Sequence, residues 1–139
     1  QEFVIGKSLM LEEGRDVTIF ATGHLVWKAL EACKILAEDG IQAEVINIHT
    51  IKPLDDEAVL ASVKKTGCVV SAEEHMRNGG LGDSIAQLLV RHHPVPMEMV
   101  AVDDKFGESG KPEELLAKYG LDTPDIVDAV RQVISRKGN

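Results

Sequence analysis

The stretch Asp16-Val17-Thr18-Ile19-Phe20-Ala21-Thr22-Gly23-His24-Leu25-Val26 changes its hydrophobic period partway along. Residues 17–21 form a short apolar run rich in β-branched side chains, the pattern of a buried strand. From His24 the apolar residues fall at helical spacing: Leu25 and Val26, Ala29 and Leu30, Cys33, then Leu36 and Ala37. Lys28, Glu31, Lys34 and Glu38 take the other face. Asp39-Gly40 ends the helix, since glycine adopts a left-handed C-terminal cap at little cost. A strand that passes through one tight glycine turn into an amphipathic helix is the first half of a βαβ unit.

The same alternation continues outward. Ala43-Glu44-Val45-Ile46-Asn47-Ile48 reads as a second strand, followed by the loop His49-Thr50-Ile51-Lys52-Pro53-Leu54. Asp55-Asp56-Glu57 opens a helix with acids at its positive end, and Lys64-Lys65 with Gly67 closes it at the negative end. Cys68-Val69-Val70-Ser71-Ala72 is a third strand. Gly79-Gly80-Leu81-Gly82 leads into a helix carrying Ile85, Leu88 and Leu89 that stops before Pro94, and Met99-Val100-Ala101-Val102 is a fourth strand. Two helices, over 112–119 and 124–135, finish the chain, the second with Thr123 as N-cap and Pro124 in its first position. These spacings predict an α/β three-layer sandwich: a mostly parallel twisted sheet with helices on both faces. Residues 1–14 read as a lead-in or linker and 15–139 as the domain.

Composition narrows the partners. Of the 139 residues, 44% are hydrophobic and 27% charged, which suits a folded domain, and the formal net charge of −8 argues against a nucleic-acid or anionic-membrane binder. No apolar run approaches the length of a membrane span. Cys33 and Cys68 both fall in apolar patterns, without the spacing of a zinc site, so they read as core thiols in a reducing compartment. The chain begins at Gln1 rather than methionine, which suits a piece of a longer polypeptide.

Ligands of open parallel sheets gather at the carboxyl ends of the strands. Thr22, Gly23 and His24 stand there at a helix start, where free amides hold anions; His49 ends the second strand; Glu74 and His75 follow the third and pair a carboxylate with an imidazole; Gly79 and Gly80 precede a helix. Each has a plain structural reading beside it: a tight turn, a hydrogen-bonded loop, a polar contact, a close helix-to-sheet approach. No nucleophile elbow, phosphate loop or metal cage is present, so no residue is assigned as catalytic, cofactor-binding or metal-binding.

Several strings together resemble the C-terminal domain of transketolase, above all that of the split bacterial and archaeal form. They are Asp16-Val17-Thr18-Ile19 with Ala21-Thr22-Gly23, Ile46-Asn47-Ile48 with Thr50-Ile51-Lys52-Pro53-Leu54-Asp55, Glu73-Glu74-His75 with Gly79-Gly80-Leu81-Gly82, and Phe106-Gly107-Glu108-Ser109-Gly110 followed by Pro112-Glu113-Glu114-Leu115-Leu116. Where His49 stands, many members of the family carry arginine. The resemblance implies a cytoplasmic enzyme that moves a two-carbon ketol unit between sugar phosphates with thiamin diphosphate and Mg or Ca. Both would be held by domains that precede this one; the Gly-Asp-Gly opening of the family's metal motif is absent here. The implied role is dimer packing and scaffolding, with the remaining transketolase domains or the N-terminal subunit as partners and the chain alone inactive. A stand-alone ligand-binding or interaction module of the same fold, or the equivalent domain of a 2-oxoacid dehydrogenase beta subunit, is the alternative.

Overall fold

A computed structural model describes residues 8–49, 53–76, 80–102 and 122–137, without the side chains of His75, Met76 and Val102. The strands are β1 (Leu9–Glu12), β2 (Val17–Ala21), β3 (Ala43–Asn47), β4 (Val69–Met76) and β5 (Met97–Val102). The helices are α1 (Leu25–Glu38), α2 (Asp56–Thr66), α3 (Leu81–His92) and α4 (Thr123–Ser135). The helix expected over 112–119, the loop at 106–110, residues 50–52 and Gly79 lie outside the described residues.

The five strands lie in the order β1-β3-β2-β4-β5. β2 pairs in parallel with β3, Val17 opposite Ala43 through Ala21 opposite Asn47, and with β4 on its other side. β4 pairs in parallel with β5, and β1 runs antiparallel along the outer edge of β3. The chain therefore leaves β2 in one direction through α1 and returns past it through α2. That reversal creates a switch point between the carboxyl ends of β2 and β4.

Alternation of side chains along each strand divides the core in two. Ile19, Val45 and Val70 face α1 and α4 on one side, among Leu25, Ala29, Leu36, Ile126 and Val130. Phe20, Ile46 and Val69 face α2 and α3 on the other, among Val59, Val63, Leu81 and Ile85. The three-layer α/β sandwich with a mostly parallel sheet is thus as the periodicity predicts.

Several local expectations change. The segment 1–14, expected as a lead-in, supplies β1; its residues alternate between half-buried and exposed, as an edge strand does. Gly14 follows it, and a Cβ there would lie 2.4 Å from the carbonyl carbon of Ala43. The strand expected to end at Ala72 runs on to Met76. Lys28, expected on the solvated face of α1, lies 3.2 Å from Asp122. Lys64 and Lys65 stand in the last turn of α2 as expected, and Lys65 also pairs with the fully buried Glu44. Glu44 also accepts the Ser62 hydroxyl at 2.6 Å and the Gly14 amide at 3.1 Å. Because Ser62 donates to Glu44, Thr18, 2.7 Å from it, donates in turn to Ser62. A buried carboxylate is thereby fully hydrogen-bonded beneath α2, as burial of a charge requires.

Cys68 is buried and Cys33 half-buried; both thiols are free, and burial pushes both upward from their ordinary pKa.

The N-cap of α4 is Asp122 rather than Thr123. The Asp122 carboxylate accepts the Thr123 amide at 2.8 Å, and Asp125 reaches back to the Asp122 amide at 2.9 Å, a reciprocal capping box. The Thr123 hydrogen bond, aided by Lys28, holds the Asp122 carboxyl below its ordinary range against the opposing effect of burial. A depressed carboxylate stabilises the fold fully above its unfolded value, about 3.9, and loses that contribution as pH falls through the folded one. Asp122→Ala should therefore cost about 1 kcal/mol at neutral pH. The urea midpoints of variant and wild type should converge as pH falls through the depressed folded value, and a gap independent of pH would contradict the cap.

Candidate functional site

The switch point is built by two adjacent carboxylates on β4. Between Ala72 and Met76 the pairing of β4 with β5 shifts register, so Glu73 and Glu74 sit in an irregular stretch at the carboxyl end of the sheet, where such features re-aim side chains. Glu73 turns toward the α2–α3 face. Fully buried, it accepts the amide of Leu81 at 2.8 Å and that of Gly82 at 2.7 Å, the first amides of α3. Glu74 turns to the opposite face and accepts the amide of His24, at the start of α1, at 3.2 Å. Two sequence neighbours thus place negative charge on the positive ends of two helices in different layers.

The turn into α1 depends on Gly23, whose φ of +57° favours glycine. Thr22 anchors it: its amide donates to Ala72 at 3.1 Å and its carbonyl accepts from Leu25. Gly82 lets α3 approach the sheet, since a Cβ there would meet Met99 Sδ at 2.9 Å and Ser71 Oγ at 3.0 Å. Gly80 is buried as the N-cap of α3, and its carbonyl accepts from Ser84.

The sequence-derived candidates separate into three groups. Gly23, His24 and Glu74 meet at the switch point, with Thr22 behind them. His49 stands apart from that contact, at the end of β3, but shares with Gly23 a cleft of about 440 Å³ that Trp27, Val26, Leu30 and Leu11 also line. Gly80 belongs to the α3 cap, while Gly79 and the His75 side chain lie outside the described residues. The acid–imidazole loop expected at residues 73–75 is strand instead. The sequence signals missed Glu73, a buried cap that reads as one acid in an acidic pair, and Trp27, 70% exposed on α1. The apolar run through Ala72 could have been extended by two residues on the alternation rule alone, which puts Glu73 inward.

This arrangement suits an internal structural joint. An anionic diphosphate at the start of α1 would face Glu74, and at the start of α3 it would face Glu73, with like-charge repulsion at each. Among the described residues no group of three or more His, Cys, Asp or Glu side chains is placed to hold a metal ion. The described residues therefore do not fit a thiamin diphosphate and its divalent cation. No helix among the described residues is long and apolar enough to cross a membrane.

Comparison with known proteins agrees with the fold. The family model "Transketolase, C-terminal domain" matches residues 6–126. The chain is 51% identical over 136 residues to the 6-deoxy-6-sulfo-D-fructose transketolase subunit SqwH of Clostridium sp. (strain MSTE9), covering 98% of this chain and 42% of that protein. It is 38% identical over 135 residues to an apulose-4-phosphate transketolase subunit of Phocaeicola vulgatus, covering 97% and 43%. A solved structure described as a split gene transketolase, inactive beta4 tetramer, superimposes with a TM-score of 0.95 at 45% identity, covering 99% of this chain and 45% of that one. The chain thus spans less than half the length of these relatives. On the family match, the relatives and the superposition, this chain belongs to the transketolase C-terminal domain family.

Proposed function

We propose that this chain is the supporting C-terminal part of a thiamin-diphosphate-dependent transketolase that transfers a two-carbon ketol unit between sugar phosphates. The cofactor and its Mg or Ca ion are held elsewhere in the enzyme, by the remaining transketolase domains and the N-terminal subunit. The chain contributes scaffold and packing between copies, works in the cytoplasm, and is inactive alone. The observation that carries this reading is the pair Glu73 and Glu74. They fill, from within, the two helix starts at the switch point where a ligand of an open sheet would otherwise sit. The subunit relatives supply the assembly in which such a part belongs.

The test uses the natural protein that contains this chain, mixed with an N-terminal transketolase subunit. With thiamin diphosphate and Mg present, two-carbon transfer from a ketose phosphate to an aldose phosphate is expected from the mixture. Residues 1–139 alone should give no turnover and, by calorimetry, no heat with thiamin diphosphate. Tight cofactor binding by residues 1–139 alone overturns the proposal. So does a mixture that leaves every ketose phosphate unchanged.

A further inference from the structure

We infer that β1 is a releasable strap clamped to both ends of α2, so that β1 and α2 open together as one unit while α3 and α4 stay in place. The inference concerns how the layers of this chain hold one another and goes beyond the supporting role proposed above. β1 is antiparallel to β3, and α2 runs against the parallel strands β3 and β4 that it connects. Strand and helix therefore start at one end of the sheet and finish at the other together. At the start, Ser8 donates its amide at 2.8 Å and its hydroxyl at 3.2 Å to Asp55, the N-cap of α2, whose carboxylate also accepts the Ala58 amide. At the finish, Gly14 donates its amide at 3.1 Å to Glu44, which also takes the Ser62 hydroxyl and the Lys65 ammonium from the far end of α2.

Neither element has much else to hold it. Leu9 and Leu11 of β1 are only half-buried, Met10 and Glu12 are exposed, and the pairing with β3 shifts register between Met10 and Glu12. The buried residues of α2 are Val59, Ser62, Val63 and Thr66, so half of its anchors are hydroxyls. By contrast α3 buries Leu81, Ile85, Leu88 and Leu89, and α4 buries a longer apolar stripe. Segments with few buried apolar contacts open below the free energy of global unfolding. When β1 lifts, Asp55 loses two donors beside the helix start. Water also reaches Glu44, which is otherwise fully buried, and competes there with Ser62 and Lys65. Both ends of α2 are thus loosened by one event at the sheet edge.

Leu11→Ala in the natural protein that contains this chain tests the strap without touching α2. Leu11 packs against the core shared with α1 and α4, on the face of the sheet opposite α2. Hydrogen exchange followed by mass spectrometry should show the peptides over β1 and over α2 both exchanging about tenfold faster in the variant. Peptides over α3 and α4 should keep their wild-type rates. A second measurement needs no variant and stands even where Leu11→Ala fails to fold. In wild type at low urea, amides of β1 and α2 should open with a common free energy, below that of α3 and α4. An α2 that keeps its wild-type rate in Leu11→Ala overturns the proposal, as does a rise confined to β1 and α1. A rise shared equally by every helix also overturns it, because the opening is then global. So does a wild-type α2 that opens together with α3 rather than with β1. None of these rates bears on ketol transfer by the full assembly, which is measured separately.

Discussion

Glu73→Ala is expected to lower the stability of the chain by about 3 kcal/mol, read as a fall in the urea midpoint. The carboxylate is fully buried and accepts two amides, those of Leu81 and Gly82. Alanine leaves both without an acceptor in a place water does not reach, and an orphaned buried donor costs about 1–3 kcal/mol. It also removes a negative charge from the start of a helix and opens a space beneath α3. Glu73→Gln keeps the volume and one acceptor oxygen but turns an NH₂ toward a second N–H, so it should fall between alanine and wild type. A Glu73→Ala midpoint within error of wild type would show that the α3 amides find other acceptors.

Phe20→Ala is expected to cost about 4 kcal/mol, the largest loss among single substitutions considered for this domain. Phe20 is 0% exposed and is the largest fully buried side chain among the described residues, packed on the α2–α3 face among Ile46, Val59, Val63, Val69, Leu81 and Ile85. Its strand is held on both sides by parallel neighbours, which limits collapse around the deletion, and cavities that cannot close cost most. Domains of this size hold only about 5–15 kcal/mol in reserve. Thermal or urea unfolding checks the figure, and a loss under about 1 kcal/mol would mean that α2 settles into the gap.

The frame of this domain is legible in the sequence because β2, β3 and β4 are covered on both faces. Strands of that kind become nearly continuous apolar runs, such as Val17-Thr18-Ile19-Phe20-Ala21, which stand out against the helical stripe that follows. Turn chemistry is legible for the same reason: Gly23, Gly40 and Gly67 all carry positive φ at the ends of those runs or of the helices between them. β1 is hidden because an edge strand needs only one buried side, and Leu9-Met10-Leu11-Glu12 alternates too briefly to register. The last part of β4 is hidden because glutamate is rare in strands, and its acceptance there depends on α3 amides that adjacency in sequence does not reveal. Asp122 displaces Thr123 as the cap because a carboxylate with Asp125 three residues on closes a reciprocal pair that threonine at the next position does not.

For the candidate site, the residues are visible in the sequence while their relation is not. Thr22-Gly23-His24 and Glu74 each read as polar features of separate loops, and only the reversal of strand order brings the His24 amide onto the Glu74 carboxylate. Trp27 falls within one turn of the apolar stripe of α1, so periodicity gives no sign that it faces outward.

The adjacency of Glu73 and Glu74 sets a rule for how this stretch tolerates change in length. Adding or deleting one residue between Val69 and Glu73 would exchange the sides on which the two acids emerge, so both layers would lose their anchor in one event. Length variation is far cheaper after Glu74, where the chain has already tied each layer to the same strand. Homologous chains should therefore keep constant spacing up to this doublet and drift beyond it, and a designer grafting a loop onto this fold should cut on the later side.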